Sequence, residues 1–115
     1  MRDLQSISLD GGEKWAVEDA VSILRDRFEL EGAILYGSKA RGDDDAHSDV
    51  DLLLITRRLL HWREEKAIVE LLFEVGMRHG VIFSPLFVSS EEWNGGRFTE
   101  FPIYKEIIRD GAMVA

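Results

Sequence analysis

A glycine-containing turn followed by two spaced aspartates most constrains what this chain can fold into. The turn is Gly37-Ser38-Lys39-Ala40-Arg41-Gly42, and it follows the short apolar run Ala33–Tyr36. An apolar run that stops at a glycine is typical of a buried strand that meets a turn. Gly37 and Ser38 allow a phosphate to approach the backbone amides closely, with the Ser38 hydroxyl as a further donor. Arg41 lies within one helical turn of them, and its planar guanidinium suits phosphate oxygens.

Asp49 and Asp51 open a second predicted strand, Asp49–Thr56. Because side chains alternate along a strand, both carboxylates lie on one face, while Val50 and Leu52 point into a core. Two hard oxygen ligands on a rigid strand beside a phosphate-binding turn indicate a divalent metal ion that holds a nucleoside triphosphate. The alternative interpretation is that the aspartates only end a loop at a solvent-facing strand edge.

Together, Gly37-Ser38, Ala40-Arg41-Gly42 and Ser48-Asp49-Val50-Asp51-Leu52 resemble the signature of the polymerase-beta-type nucleotidyltransferase superfamily. The closest resemblance is to its short prokaryotic branch, the minimal nucleotidyltransferases (MNT). It implies an α/β (α+β) fold in which helices pack on a small mixed sheet. It also implies that Asp49 and Asp51 are catalytic and bind Mg²⁺ or Mn²⁺, and that Gly37 and Ser38 hold the phosphates of ATP or another nucleoside triphosphate. Arg41 either contacts phosphate or pairs with the following acidic loop, for example with Asp43.

The chain departs from the family pattern on the third predicted core strand. Active members usually carry a further carboxylate there, whereas the predicted strand Val81–Val88 has Ser84-Pro85 at its centre. A serine hydroxyl is a poorer magnesium ligand than a carboxylate. Glu91 and Glu92 follow the strand and are interpreted as first-turn acids of the next helix. The chain is therefore expected to bind nucleotide and metal. The missing carboxylate favours slow or absent transfer, whereas the intact Gly37-Ser38 turn and the Asp49/Asp51 pair favour an active enzyme, which is the first interpretation.

The loop between the turn and the second strand contains Asp43-Asp44-Asp45 and His47. We interpret its acids as solvated, since adjacent like charges rarely all serve one site. His47 either reaches the cleft of Asp49 as a proton carrier or lies on the surface. Ser48 is interpreted as the hydroxyl that fixes the turn into the strand.

Periodicity predicts a single domain over residues 1–115 with the element order α-β-β-α-β-α. Residues 1–12 are interpreted as a loose lead-in, with Asp10-Gly11-Gly12 as a break and a candidate helix start. Besides the strands above, the pattern predicts a helix over about Glu13–Leu30, a long helix from Arg57 to about His79 stopped by Gly80, a capped short helix after Ser89, and a last helix over about Pro102–Arg109. Pro85 favours either an edge position or a bulge for the third strand, because proline cannot donate to a ladder.

Charge and composition narrow the possible partners. The formal net charge is −8, from 14 basic and 22 acidic residues, which argues against general binding of long nucleic acids. The absence of cysteine excludes disulfides and thiolate metal sites. The N-terminus has no apolar leader segment and no run approaches membrane-spanning length, so a soluble cytoplasmic protein is expected.

Three functions are compatible with these residues. The first is transfer of a nucleoside monophosphate, AMP from ATP, to a hydroxyl acceptor, which a partner protein or a homodimer would help to present. The second is a weak or inactive nucleotide-binding protein that neutralises a HEPN-type partner by contact, because small members of the resembled family often form toxin–antitoxin-like pairs with such proteins. The third, an aminoglycoside-type enzyme, is disfavoured because the chain ends before any acceptor-binding domain.

The aromatic residues allow two interpretations. Trp15 and Trp62 fall near helix starts and are expected to be core or half-exposed packing residues. The segment from Trp93 to Tyr104, which is interleaved with Gly95-Gly96 and Arg97, either packs on itself or forms a patch for a partner.

Overall fold

A mixed sheet organises the computed structural model, which describes residues 1–43 and 49–114. In chain order its elements are β1 (Arg2–Asp3), α1 (Gly11–Phe28), β2 (Leu30–Tyr36), α2 (Ser38–Arg41), β3 (Val50–Thr56), α3 (Trp62–His79), β4 (Phe83–Ser89), α4 (Ser90–Trp93), α5 (Pro102–Asp110) and β5 (Ala112–Met113). The strand order is β1-β5-β2-β3-β4. Strand β3 pairs antiparallel with β2 and parallel with β4, so β4 lies at one edge as Pro85 predicts. The predicted small mixed sheet with packed helices is confirmed.

The hydrophobic core lies on both faces of β2 and β3. On one face Leu52 and Leu54 pack with buried residues of α1 and α3, such as Leu24 and Ile68. On the other face Leu53 packs with Ile34, Ile55 and Ile107, the last of which belongs to α5. The continuous apolar run Leu52–Ile55 of β3 is therefore covered on both faces of the sheet.

Side-chain caps determine where the two long helices begin. The Asp10 carboxylate accepts a hydrogen bond from the backbone N–H of Glu13 (2.7 Å), and the Glu13 carboxylate accepts one from the N–H of Asp10 (3.1 Å). Helix α3 begins at Trp62 and not at the predicted Arg57, because His61 caps it there: its Nδ1 accepts from the N–H of Arg63 at 3.2 Å, and its own N–H donates to the Glu64 carboxylate at 3.0 Å. Gly80, in the left-handed conformation, ends α3 as predicted.

The prediction that residues 1–12 form a loose lead-in is wrong. Arg2–Asp3 pairs in parallel with the unpredicted strand Ala112–Met113, and Leu4 and Ile7 are buried. The Arg2 guanidinium also donates to the carbonyl of Ala40 at 3.0 Å. The N-terminal segment therefore supports α2, through contacts between residues far apart in the sequence.

Strand β2 begins at Leu30, before the predicted start at Ala33, and Gly32 lies inside it at a register shift between Leu30 and Gly32. The interpretations of Asp44, Asp45, His47 and Ser48 concern residues outside the described ones, and they stay predictions.

Within the described ranges, no helix combines the length and apolar character needed to cross a membrane.

Candidate functional site

Three neighbouring strands place Tyr36, Asp51 and Ser84 side by side. Asp51 of β3 stands opposite Tyr36 in the antiparallel register with β2, and opposite Ser84 in the parallel register with β4. Side chains at matched positions of adjacent strands lie on the same face of a sheet. This row therefore faces the side of the sheet that α5 covers, and Ser84 lies next to Asp51.

The turn after β2 lies directly against the Asp51 carboxylate. Gly37 has φ +77° and ψ −157°, and α2 begins at the next residue. A Cβ atom built on Gly37 would overlap the Oδ2 atom of Asp51. Both the backbone conformation and the close carboxylate therefore require glycine at this position. The two halves of the predicted motif meet at this contact.

Negative charge accumulates around Asp51. Burial raises the pKa of Asp51, the charge of Asp49 raises it further, the Arg41 guanidinium opposes these effects, and Glu106 adds to them. Burial, followed by the charges of Asp51 and Glu106, raises the pKa of Tyr36 to about 12. A cation bound at Asp51 would relieve this repulsion.

The donor set fits a divalent metal ion. Asp49 is exposed and Asp51 is half-buried, so both offer carboxylate oxygens at the accessible beginning of β3. In residues 1–43 and 49–114, no group of three or more acidic or histidine side chains could hold a metal ion. Mg²⁺ usually binds through one or two carboxylates, completed by water and substrate phosphates. Asp49 and Asp51 therefore suit an ion that arrives with a nucleotide.

Arg41 pairs with acidic side chains in the structure. Its Nε donates to Oδ2 of Asp43 at 3.1 Å, and its Nη1 lies 3.6 Å from Oε1 of Glu106. Pairing with the acidic loop, one of the two predicted roles of Arg41, is thus observed, and a phosphate contact stays a prediction. Glu106 is not among the predicted site residues. The apolar spacing of Ile103 and Ile107 places Glu106 beside the buried stripe of α5, but no sequence signal shows which strand α5 crosses.

Lys39 also has a structural role that the sequence did not suggest. The residue is 5% exposed, and its side chain forms an ion pair with Glu13, which belongs to the cap of α1. The pair connects α2 to the first turn of α1. The orientation of the Gly37–Ser38 turn therefore depends on the start of a helix that packs on the face of the sheet opposite Asp51.

The acids that follow β4 do not replace the missing carboxylate. Glu92 forms a reciprocal cap with Ser89, whose Oγ accepts from the Glu92 N–H at 3.2 Å, as the sequence predicts. Glu91 is exposed in the same short helix. Both residues follow the far end of β4, whereas Ser84 lies near its beginning.

The aromatic segment packs mainly on itself. The rings of Trp93 and Tyr104 meet edge to face with centroids 5.0 Å apart, and buried Phe98 contacts both. This arrangement favours the packing interpretation over a partner patch. Trp15 and Trp62, in contrast, are exposed, so the prediction that they are core residues is wrong, although the Trp15 ring stacks on His79 with centroids 6.3 Å apart.

Comparison with known proteins decides the family. The family model described as polymerase beta, nucleotidyltransferase, matches residues 18–82, more than half of the chain. The chain belongs to this nucleotidyltransferase family. The matched segment contains Gly37, Ser38, Arg41, Asp49 and Asp51, and it ends before Ser84.

Relatives with similar sequences include candidate protein adenylyltransferases of Methanocaldococcus jannaschii. One is 33% identical over 69 residues, which cover 60% of this chain and 68% of the relative. Another is 22% identical over 104 residues, which cover 89% of this chain and 97% of the relative.

Solved structures share the fold at low sequence identity. A candidate nucleotidyltransferase from Sulfolobus solfataricus is 17% identical with a TM-score of 0.57, and the match covers 87% of this chain and 77% of that one. A toxin–antitoxin structure with AMP-PNP is 13% identical with a TM-score of 0.60, covering 90% and 72%. A mutant of the toxin–antitoxin MntA–HpeT is 14% identical with a TM-score of 0.56, covering 94% and 73%.

Proposed function

We propose that this nucleotidyltransferase transfers AMP from ATP to a hydroxyl group of a protein acceptor. The observation that carries the proposal is the contact between the Asp51 carboxylate and the Gly37 turn, because it joins a candidate metal ligand to a candidate phosphate-binding turn. The names of the sequence relatives as candidate protein adenylyltransferases support the same acceptor class.

In this proposal each site residue has a defined task. Gly37 and Ser38 hold the β- and γ-phosphates, and Arg41, oriented by Asp43 and Glu106, assists them. Asp49 and Asp51 hold Mg²⁺ or Mn²⁺, which when bound neutralises the charge of the triphosphate. The acceptor oxygen forms a bond to the α-phosphorus, the bond to the bridging oxygen breaks, pyrophosphate leaves, and the hydroxyl proton passes to solvent.

A second candidate is a nucleotide-binding protein that transfers slowly or not at all and neutralises a HEPN-type partner by contact. The position of Ser84 beside Asp51 favours it, since a neutral hydroxyl occupies the strand position next to the metal-binding aspartate. The likeness to toxin–antitoxin structures is compatible with a partner protein. A second copy of the chain is the alternative partner.

Incubation with ATP labelled at the α-phosphate, with Mg²⁺ or Mn²⁺, separates the two candidates. The protein is tested alone and with the product of its neighbouring gene. Transfer of label by the wild type and its loss in Asp49→Asn/Asp51→Asn would support the enzyme. A Glu18→Gln/Asp26→Asn variant, which removes two exposed acids of α1, controls for net charge.

Each remaining outcome decides one of the two candidates. Unchanged turnover in the folded Asp49→Asn/Asp51→Asn variant would refute the assignment of the metal ligands. Metal-dependent nucleotide binding in calorimetry without transfer would support the binding protein. In that case the same variant should still neutralise the partner, and failure to do so in a folded sample would count against the second candidate.

A further inference from the structure

The outer face of α3 carries an apolar stripe that the fold leaves uncovered. It consists of Trp62, Val69, Phe73 and Met77, whose spacing of seven, four and four places them on one side of a helix. Ile82, just before β4, extends it. Phe73, Met77 and Ile82 are 68%, 70% and 68% exposed. We call these five residues the outer stripe. Several exposed apolar side chains on one side of a helix indicate an interaction site.

A groove runs beside the stripe, between α3 and the beginning of β4. Its volume is about 250 Å³, and apolar side chains line it, including Phe73, Met77, Ile82 and Phe83. Pro85 lies in the adjacent edge strand and removes a backbone donor, which disfavours the addition of another strand. The groove therefore suits the protruding side chains of a helix.

The charges along the stripe identify the helix that fits. Arg63 and Lys66 flank its N-terminal half and Glu70 and Glu74 flank the same side of its C-terminal half, all four exposed. When two such helices pack antiparallel around a two-fold axis, the N-terminal half of this side on one helix lies against the C-terminal half of the same side on the other helix. The basic half then faces the acidic half of the second copy.

The contacts within one chain leave these charges available. Lys66 and Glu70 lie 4.0 Å apart in an exposed pair, which contributes little to stability. The Arg63 guanidinium rests over the Trp62 ring at 5.3 Å, so the basic end of the stripe is already positioned at its surface.

We propose that two copies of this chain form a homodimer through antiparallel packing of their outer stripes. The helix from Trp62 to Met77 is about 24 Å long and about 10 Å wide. The contact area that it offers is therefore less than the roughly 800 Å² per partner of a standard interface. The association is therefore expected to be weak, in the micromolar range. Helix α3 covers the face of the sheet opposite Asp51, although Ile82 of the stripe lies next to Val50, whose N–H donates to its carbonyl at 2.8 Å.

Charge swapping tests the proposal by sedimentation equilibrium of the full chain. Arg63→Glu/Lys66→Glu and Glu70→Lys/Glu74→Lys should each be monomeric, and their equimolar mixture should dimerise. The variant with all four changes keeps the net charge of −8 and should dimerise like the wild type. Phe73→Glu should abolish association, while Ile108→Glu, at an exposed apolar residue of α5, should not.

Several results would overturn the proposal. The first is a wild type that stays monomeric well above micromolar concentration. The second is dimerisation of either two-residue variant alone as tightly as the wild type. The third is failure of the four-residue variant to associate although circular dichroism shows that it is folded. A wild-type monomer whose stripe is covered instead by a protein of different sequence would refute the second copy as the occupant. ATP binding and transfer are measured separately, so failure of the dimer does not affect the proposed function.

Discussion

Substitution of Gly37 by alanine tests the contact on which the candidate site depends. Gly37 has φ +77° and ψ −157°, a region that essentially only glycine occupies, at a cost of about 1–3 kcal/mol for other residues. The new Cβ would also overlap Oδ2 of Asp51. Moving that carboxylate off its rotamer adds about 0.5–1.5 kcal/mol. Gly37→Ala should therefore lower the free energy of unfolding by about 2–4 kcal/mol.

Gly42→Ala is the matched control. Gly42 has φ +81° and ψ 14°, and a Cβ atom added there would meet open space within 4 Å. An alanine at this position costs only the left-handed backbone penalty of about 1–2 kcal/mol. Both variants thus replace a glycine of positive φ, and only Gly37→Ala disturbs Asp51. The difference between their losses of stability therefore measures the contact with the Asp51 carboxylate together with the more restricted backbone region of Gly37.

Urea unfolding followed by tryptophan fluorescence measures the two stabilities, and calorimetry with Mg²⁺ and ATP measures binding. Gly37→Ala should lose at least about 1 kcal/mol more than Gly42→Ala. It should also weaken nucleotide binding more, because Asp51 is displaced from the turn. Equal losses of stability, or unchanged nucleotide binding by Gly37→Ala, would refute the reasoning.

Three further predictions follow from the same region. The pKa of Asp51 is raised in the folded state, so its ionised carboxylate opposes folding at pH 7. Asp51→Asn should therefore raise the melting temperature at pH 7, and this difference from the wild type should disappear as the pH falls toward the unfolded pKa of about 3.9; a difference that does not change with pH would contradict this. Ser84→Asp should increase AMP transfer by about tenfold or more, whereas Ser84→Asn should not, as measured with α-labelled ATP. Glu13→Gln should lower the free energy of unfolding in urea by about 1–3 kcal/mol, because it removes one charged partner of the buried Lys39, and Glu13→Gln/Lys39→Met should recover part of that loss; an additive double variant would argue against coupling.

The sequence by itself determined the local parts of the site. The apolar run before Gly37 and the alternation from Asp49 to Leu52 are properties of adjacent residues, so the turn and the second strand were predictable. The same holds for Gly80 and for the cap formed by Ser89 and Glu92, since a cap depends on side chains within a few residues. The start of α3 was missed because histidine is a less common cap than serine or aspartate.

Only the tertiary structure decided which residues meet around these local elements. The position of Ser84 beside Asp51 depends on the register of two strands, and the approach of Glu106 to Arg41 depends on where α5 crosses the sheet. The pairing of Arg2–Asp3 with Ala112–Met113 joins the two ends of the described chain. Local propensity acts over one or two turns of chain, whereas strand register and helix crossing are set by the packing of the whole core.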